Sequence, residues 1–369
     1  MAKAQSLDSR SAVSAPEVPP VNRGVIALGI SLALVVALAI AANRLTVLGN
    51  LPFGRQVLEY PLFAAGVGLV IGLLLTTTRL RSKVDGGFRT EFFLKTGLVL
   101  MGATINFGAI LSLGAKGIMQ ALLLVTGVFF FTWWVASKFH LDEKLRALIA
   151  TSVAICGVSA AIAAAGSVVA KRQHLTYVVT LVILFALPLM VLQPYLARLL
   201  GLPSDVAGAW IGGNIDTTAA VVGAGAVHSP EAMKVASIVK LSQNTLIGFA
   251  AFLLALYWVT TREKGQEVAS REKPRLVEIW ERFPKFVLGF VAASLIATFG
   301  LLNATQLNAL KNIQTWFLTA AFVSIGLQFT WTELRGMGSR PVAVYAIATL
   351  FNTVVALGIA YLIFGVLFR

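Results

Sequence analysis

The sequence predicts an all-α integral membrane protein with about eleven transmembrane helices. Hydrophobic residues make up 57% of the 369 residues and charged residues only 12%, whereas soluble domains carry roughly 25% charged residues. Apolar runs of about 20 residues, long enough to cross the hydrocarbon core of a bilayer as a helix, recur from Gly24 almost to the C-terminus. The composition therefore places most of the chain inside a membrane.

The eleven apolar runs divide the chain into four parts. We predict a disordered cytoplasmic tail in 1–23, a first bundle with both interrupted helices in 24–259, a cytoplasmic linker in 260–283 and a second bundle in 284–369. A cleavable signal peptide is the alternative for the first run, although its apolar stretch is long for that role. The runs lie in 24–43, 60–78, 92–113, 117–137, 145–170, 175–197, 206–227, 232–259, 284–302, 314–332 and 341–368.

The positive charges lie mostly in the connections between the runs. The formal net charge is +14, which in a soluble protein would suggest nucleic acid as a partner. With the N-terminus in the cytoplasm, most of the 30 lysines and arginines fall on the cytoplasmic side, so the positive-inside rule favours an N-in, C-out topology. Lys171, Arg172 and His174 are the exception, because simple crossings would put them outside.

Two pairs of segments indicate an internal repeat. "YPLFAAGVGLVIGLL" from Tyr60 aligns with "FPKFVLGFVAASLI" from Phe283, and "FLKTGLVLMGATINF" aligns with "FLTAAFVSIGLQF" at a similar offset. Gly102 then corresponds to Gly326. An odd number of crossings separates the copies, so they point in opposite directions through the membrane. Inverted repeats of this kind are typical of secondary transporters.

Two stretches outside the repeat interrupt apolar runs with glycine and polar residues. They are "ICGVSAAIAAAGSVV" from Ile155 and "IGGNIDTTAAVVGAGAV" from Ile211. Glycine destabilises a helix by roughly 1 kcal/mol relative to alanine, and non-helical backbone survives in a bilayer only where protein or a cavity surrounds it. We expect broken helices near Gly157 and Gly213, whose freed N-termini would offer NH groups to an anion.

Three ionisable side chains within the predicted spans are candidates for function: Asp216 near the middle of its span, Lys95 near the start of its span, and Lys240. An ionisable residue in the bilayer is expensive, so function is its default explanation. Together they carry a net charge of +1, or +2 when Asp216 is protonated, which favours an anionic substrate with a proton as coupling partner. The structural alternatives are a buried ion pair of Asp216 with Lys240 and a Lys95 that reaches the cytoplasmic interface.

Hydroxyl and amide side chains surround these charges and could bind the oxygens of an anion, although each is also a common packing residue between membrane helices. Asn106 and Gln328 occupy related positions in the two repeat copies and are further cavity candidates. No nucleophile with a base, no metal cluster and no cofactor motif is spaced for chemistry, so we do not expect an enzyme. The predicted substrate-binding residues are Gly157, Ser159, Asn214, Asp216, Thr217, Thr218, Lys240, Ser242, Gln243 and Asn244.

The motifs "LKTGLVLMGATINF", "ICGVSAAIA", "WIGGNIDTTAAVVGAGA" and "KLSQNTLIG" occur in this order and resemble the YeiH family of bacterial inner-membrane proteins, which are labelled sulfate exporters. The resemblance covers roughly residues 25–369. It implies a multi-pass transporter in the superfamily of cation/proton antiporters and anion transporters, which includes NhaA and the bile-acid symporters and uses interrupted helices that cross at mid-membrane. Carriers of this superfamily are often dimers, which makes a homodimer one option.

The function that these observations predict is secondary active transport of a small anion such as sulfate by alternating access. Asp216 would couple transport by protonation, and Lys240 would balance its charge and hold the anion. The alternative is a cation/proton antiporter in which Asp216 binds the cation and the proton in turn. A channel and an intramembrane enzyme are weaker alternatives.

Overall fold

A computed structural model describes residues 33–41, 60–78, 89–262, 285–328 and 338–367. This part of the chain is mostly helical and holds no strand. The predicted tail in 1–23 lies outside the described residues, and so does the predicted linker from residue 263 onward.

Fourteen α-helical segments make up the described part. A helical segment at 33–41 is α1. The others are α2 (Tyr60–Thr77), α3 (Thr90–Gly102), α4 (Phe107–Lys138), α5 (Glu143–Ala154), α6 (Val158–Val168), α7 (Arg172–Leu199), α8 (Ser204–Asn214), α9 (Thr218–His228), α10 (Pro230–Thr245), α11 (Ile247–Tyr257), α12 (Phe286–Thr298), α13 (Ala304–Gln328) and α14 (Ser339–Ala360). Short π-helical turns, Trp258–Arg262 and Tyr361–Leu367, continue α11 and α14.

Four of these helical stretches are long and apolar enough to cross a membrane. They are Phe107–Lys138, Gln173–Leu199, Pro230–Tyr257 and Ser339–Leu367. Shorter apolar helices accompany them at Ala64–Thr77, Val158–Val168, Thr218–His228 and Phe286–Thr298. The structure thus agrees with the prediction of an all-α membrane protein. Two of the eleven predicted crossing segments follow a different course.

The predicted span 145–170 does not cross the bundle but reverses within it. The Lys144 ammonium, at the start of α5, donates to the carbonyl oxygen of Val169, just after α6, over 3.0 Å. His174 Nδ1 lies 3.7 Å from the carboxylate of Asp142. The two arms have 12 and 11 residues, about 16–18 Å each, or half of the hydrocarbon core. We call α5 and α6 hairpin 1.

Hairpin 1 accounts for the anomalous charges at its end. Because α6 returns to the face that α5 left, Lys171, Arg172 and His174 lie on the same face as Lys144. These residues therefore no longer conflict with the orientation that the positive-inside rule predicts.

The predicted span 206–227 reverses in the same way. The Ser229 hydroxyl, after α9, donates to the Ser204 hydroxyl at the start of α8 over 2.9 Å. The Arg198 guanidinium, in the last turn of α7, donates to the carbonyl oxygens of Val227 and His228. We call α8 and α9 hairpin 2. Hairpin 1 is connected to the start of α7, and hairpin 2 is connected to its end. The two ends of this 28-residue helix lie about 42 Å apart, so the hairpins enter the bundle from opposite faces.

Each hairpin reverses where its helix is broken. Gly157 has a φ of +59°, a conformation that side chains with a Cβ rarely adopt. In hairpin 2 the break is at 215–217, and the Thr217 hydroxyl accepts from the amide of Ala220 over 3.3 Å. The predicted break at Gly213 is two residues early, because Gly213 lies inside α8 and a Cβ there would stand 2.4 Å from the Gln120 side chain.

Two hydrophobic cores organise the bundle. One joins hairpin 1 to α4, α7, α8, α11 and α14. The other joins α2, α3, α12 and α13 to α9 and α10. The paired glycines of the repeat serve the same purpose in this second core: a Cβ on Gly102 would stand 2.2 Å from the Phe290 carbonyl oxygen, and one on Gly326 would stand 2.2 Å from that of Ala65. Both positions permit a close helix crossing.

Candidate functional site

The tips of the two hairpins meet inside the bundle. A Cβ on Gly157 would lie 3.3 Å from Cβ of Asp216 and 2.6 Å from a methyl group of Val182. Glycine at this position is therefore required by its backbone conformation and by the close approach of hairpin 2. Gly157 and Asp216 form the contact.

Lys240 of α10 is bound to the tip of hairpin 1. Its side chain is only 1% exposed. The ammonium donates to the carbonyl oxygen of Ile155 over 2.6 Å and to Oε1 of Gln243 over 2.8 Å. A positive charge at the C-terminal end of α5 is favourable because that end carries partial negative charge. Lys240 thus satisfies a carbonyl group that the helix break exposes.

Gln243 connects both hairpins to α10. Its amide nitrogen donates to the carbonyl oxygen of Ala154 over 2.8 Å and more weakly to that of Gly213 over 3.4 Å. These carbonyls belong to the last turns of α5 and α8, which have no helical partner for them. The side chain is 1% exposed, so its hydrogen-bonding capacity is committed to the two breaks.

Asp216 is buried at the tip of hairpin 2. It is 2% exposed, the only acidic side chain among the buried residues of the described chain. Its carboxylate accepts a hydrogen bond from the Tyr345 hydroxyl of α14. In the part of the chain that the structure describes, no ion pair joins Asp216 to Lys240, so the two residues share one cluster without direct contact.

Asn214 fastens hairpin 2 to the long helices. Its amide donates to Gln193 of α7 over 2.9 Å and its side-chain oxygen accepts from the Thr353 hydroxyl over 3.1 Å. Asn352 donates to its carbonyl oxygen over 3.1 Å. Asn214 is therefore a structural residue of the break.

A cavity of about 820 Å³ begins at the tips and runs along hairpin 1. Cys156 and Gly166 both line it, so it extends from the tip to the last turn of α6, toward the face from which hairpin 1 enters. Its other walls come from α3, α12 and α13 of the second core. The polar and charged lining residues are Thr90, Glu91, Lys95, Ser159, Thr217, Thr218, Asn244 and Lys285.

Two helix N-termini face the inner end of this cavity. Val158 and Ser159 begin α6, and Thr217 and Thr218 begin α9. Gly157 leaves the first turn of α6 without a side-chain cap. Each N-terminus carries roughly half a positive charge and unpaired NH groups. The inner end therefore presents hydrogen-bond donors and positive potential.

Asn244 adds an unsatisfied polar group at the same place. It is 5% exposed and lines the cavity. Its amide nitrogen donates to the Thr218 hydroxyl over 3.2 Å, whereas its oxygen is buried without a partner. Buried polar atoms are nearly always hydrogen-bonded, so this oxygen is an exception, and only a hydrogen-bond donor could satisfy it.

The predicted site residues thus separate into two layers. Ser159, Thr217, Thr218 and Asn244 line the cavity. Gly157, Asn214, Asp216, Lys240 and Gln243 stand behind this wall and hold the broken helices together. Ser242 bonds the carbonyl oxygen of Ile238 over 2.9 Å and packs against Gly117. It is a packing residue in this structure.

The three further cavity candidates lie in different places. Lys95 lines the outer part of the cavity. Asn106 is exposed and caps α4 by accepting from the Gly108 amide over 2.8 Å, so it does not join the cluster. Gln328 ends α13, and its side chain falls outside the described part of the structure.

Tyr345, Gln193 and Asn352 contribute to the cluster although the sequence did not single them out. Each sits within a long apolar helix, outside the two stretches that combine glycine with polar residues. Only a polar side chain in the middle of a span could have indicated them. The sequence did not single out Glu91 and Lys285 either, and the structure brings both to the cavity mouth.

The fold and the site define a multi-pass membrane protein built around two re-entrant hairpins whose tips meet behind a polar cavity. The chain belongs to the family described as Conserved hypothetical protein 698, whose model matches residues 29–345. This confirms the family that the motifs indicated.

Curated relatives carry the same general name. The chain is 39% identical to a UPF0324 membrane protein of Rhodopirellula baltica over 84% of this chain and 59% of the relative. It is 35% identical to a UPF0324 membrane protein of Nitratidesulfovibrio vulgaris over 81% of this chain and 54% of the relative. It is 30% identical to another UPF0324 membrane protein of that organism over 76% of this chain and 80% of the relative. The chain thus spans little more than half the length of the first two relatives. No solved structure matches it.

Proposed function

We propose that this chain is a secondary active transporter that moves a small anion, with sulfate as the first candidate, by alternating access. The observation that carries the proposal is the convergence of two helix N-termini on one end of a cavity that also presents the hydroxyl groups of Ser159 and Thr218. Helix N-termini are general anion sites, and broken helices in transporters use them in this way.

The chemistry of the inner end favours an anion over a cation. Hydroxyl, amide and main-chain NH groups donate hydrogen bonds to oxyanions, whereas cation sites use carboxylates and carbonyl oxygens. The carboxylate nearest the tips, that of Asp216, faces Tyr345 and does not line the cavity. The carbonyl groups of Ala154 and Ile155 are occupied by Gln243 and Lys240.

The cavity lies between two packing units, as alternating access requires. Hairpin 1 forms one wall, and α3, α12 and α13 form the other. The tip of hairpin 2 closes its inner end, since Thr217, Thr218 and Ala219 line it there. Movement of hairpin 1 against α3, α12 and α13 would close this cavity and open a path along hairpin 2 to the other face.

Asp216 supplies a place for a coupling proton. Its charge and that of Lys240 cancel when both are ionised, so protonation of Asp216 would leave one net positive charge behind the N-termini. The loaded carrier could then hold an anion with one more negative charge. This step supports proton-coupled anion transport and also keeps cation/proton antiport through Asp216 as the second candidate.

Transport in proteoliposomes tests the proposal. We expect saturable uptake of radiolabelled sulfate and counterflow by the purified full chain, and loss of both in Thr218→Val. Thr132→Val is the matched control because Thr132 is buried on α4, has no partner for its hydroxyl and does not line the cavity. Absence of sulfate counterflow, together with Na⁺-driven proton movement that Asp216→Asn abolishes, would establish the antiporter instead.

A further inference from the structure

The mouth of the cavity carries charged side chains that the inner site does not use. Glu91 and Lys95 lie one turn apart on α3, and Lys285 precedes α12. Lys95 Nζ lies 2.6 Å from Oε2 of Glu91 and 5.9 Å from the ring centroid of Phe286. Since Phe286 also lines the cavity, the beginnings of α3 and α12 frame the mouth together.

We propose that this mouth is an anion-selecting vestibule in which Lys95 and Lys285 attract the ligand and Glu91 limits their strength by pairing with Lys95. The inference rests on the proposed anion transport and extends it, because it adds residues that select charge before a ligand reaches the hairpin tips.

The charges and their setting support this role. Among the described residues that line the cavity, the charged side chains are Lys95, Lys285 and Glu91, and their formal charges sum to +1. The Lys95 and Glu91 side chains are 46% and 60% exposed, and exposed ion pairs are weak, so an anion can compete with Glu91 for the ammonium group. Leu94, Ile162 and Ile325 line the passage between the mouth and the tips. Apolar walls of this kind focus the field of the charges along the cleft.

The sign of the electrostatic potential in the cavity can be measured without a transport assay, from the reaction of a single thiol with charged reagents. Cys156 is the only cysteine of the chain and lines the inner cavity. Ser159 lines the same cavity one turn further along and is exposed. A Cys156→Ser, Ser159→Cys variant therefore places one accessible thiol beyond the mouth. Its thiolate attacks a methanethiosulfonate reagent, forms a mixed disulfide and releases methanesulfinate, while the thiol proton passes to buffer.

The experiment compares an anionic sulfonatoethyl reagent with a cationic trimethylammonioethyl reagent of similar size on the purified full chain. A Cys156→Ser, Thr305→Cys variant is the reference, because Thr305 is exposed at the start of α13 and does not line the cavity. Relative to that reference, we expect the anionic reagent to be favoured at Ser159→Cys. Lys95→Gln with Lys285→Gln should lower this preference by about tenfold, Glu91→Gln should raise it, and high salt should reduce the differences.

Two outcomes would contradict the proposal that the mouth is an anion-selecting vestibule. One is a thiol at position 159 that does not react although the reference thiol does, because the cavity would then be closed. The other is a charge preference that none of the three substitutions changes. A carrier with the expected preference but without sulfate counterflow would instead contradict the proposed function and leave the vestibule standing, so the two failures are distinguishable.

Discussion

The ammonium group of Lys240 lies 2.6 Å from the carbonyl oxygen of Ile155, at the tip of hairpin 1 and within the buried interior of the bundle. Gln243, one turn along α10, binds the preceding carbonyl, that of Ala154. α10 therefore acts as the element that satisfies the broken end of α5. The lysine that the sequence suggested as an anion ligand is placed as a support for the hairpin.

We predict that Lys240→Met lowers the stability of the detergent-purified protein by about 1–3 kcal/mol, because it leaves a buried carbonyl group unsatisfied. Lys144→Met is the matched control, since Lys144 also binds a main-chain carbonyl of hairpin 1 but does so at the exposed end. The apparent melting temperature of each variant measures its loss of stability. Equal shifts for the two variants would show that Lys240 does not support the tip.

The tight contact at Gly157 gives a second prediction. Gly157→Ala should destabilise the protein through its φ of +59°, by about 1–3 kcal/mol, and further through the clash with Val182 at 2.6 Å. Gly201→Ala separates these causes, because Gly201 has a φ of +62° with open space around it. We expect the larger fall in melting temperature for Gly157→Ala and partial rescue by Val182→Ala. A larger effect at Gly201 would contradict the contact between the tips.

Asp216→Asn tests proton coupling. The variant keeps an oxygen that can accept from Tyr345 and removes only the titrating group. We expect sulfate counterflow to persist while stimulation of uptake by a pH gradient disappears. Asp205→Asn, at an exposed position in the first turn of α8, should change neither. Retention of gradient-driven uptake in Asp216→Asn would exclude Asp216 as the coupling residue.

Glycine and buried charge were the informative signals in the sequence. The breaks near Gly157 and Asp216 follow from residues that a bilayer disfavours in a continuous helix, and the structure brings the two breaks together. The residues that complete the cluster, such as Tyr345, gave little signal because a tyrosine in an apolar helix is equally suited to packing.

The amino-acid composition could not show that the two hairpins reverse inside the bundle. A pair of 11- or 12-residue arms has nearly the length and hydropathy of one crossing helix, so 145–170 and 206–227 resemble ordinary spans. The only indication was the misplaced positive charge at Lys171 and Arg172. The dihedral angles of a few residues decide whether two helical arms lie side by side or end to end. Gly157 can adopt the dihedral angles of either arrangement, so its presence in the sequence does not distinguish them.

Labelling of single cysteines with a membrane-impermeant maleimide, from each face of sealed vesicles, tests the central claim most directly. In a Cys156→Ser background, the exposed positions Lys138 and Lys171 flank hairpin 1, and Leu199 and Glu231 flank hairpin 2. The hairpins predict that Lys138→Cys and Lys171→Cys react from one face and that Leu199→Cys and Glu231→Cys react from the other. Reaction of the two members of either pair from opposite faces would show a crossing helix and contradict the meeting of two re-entrant tips.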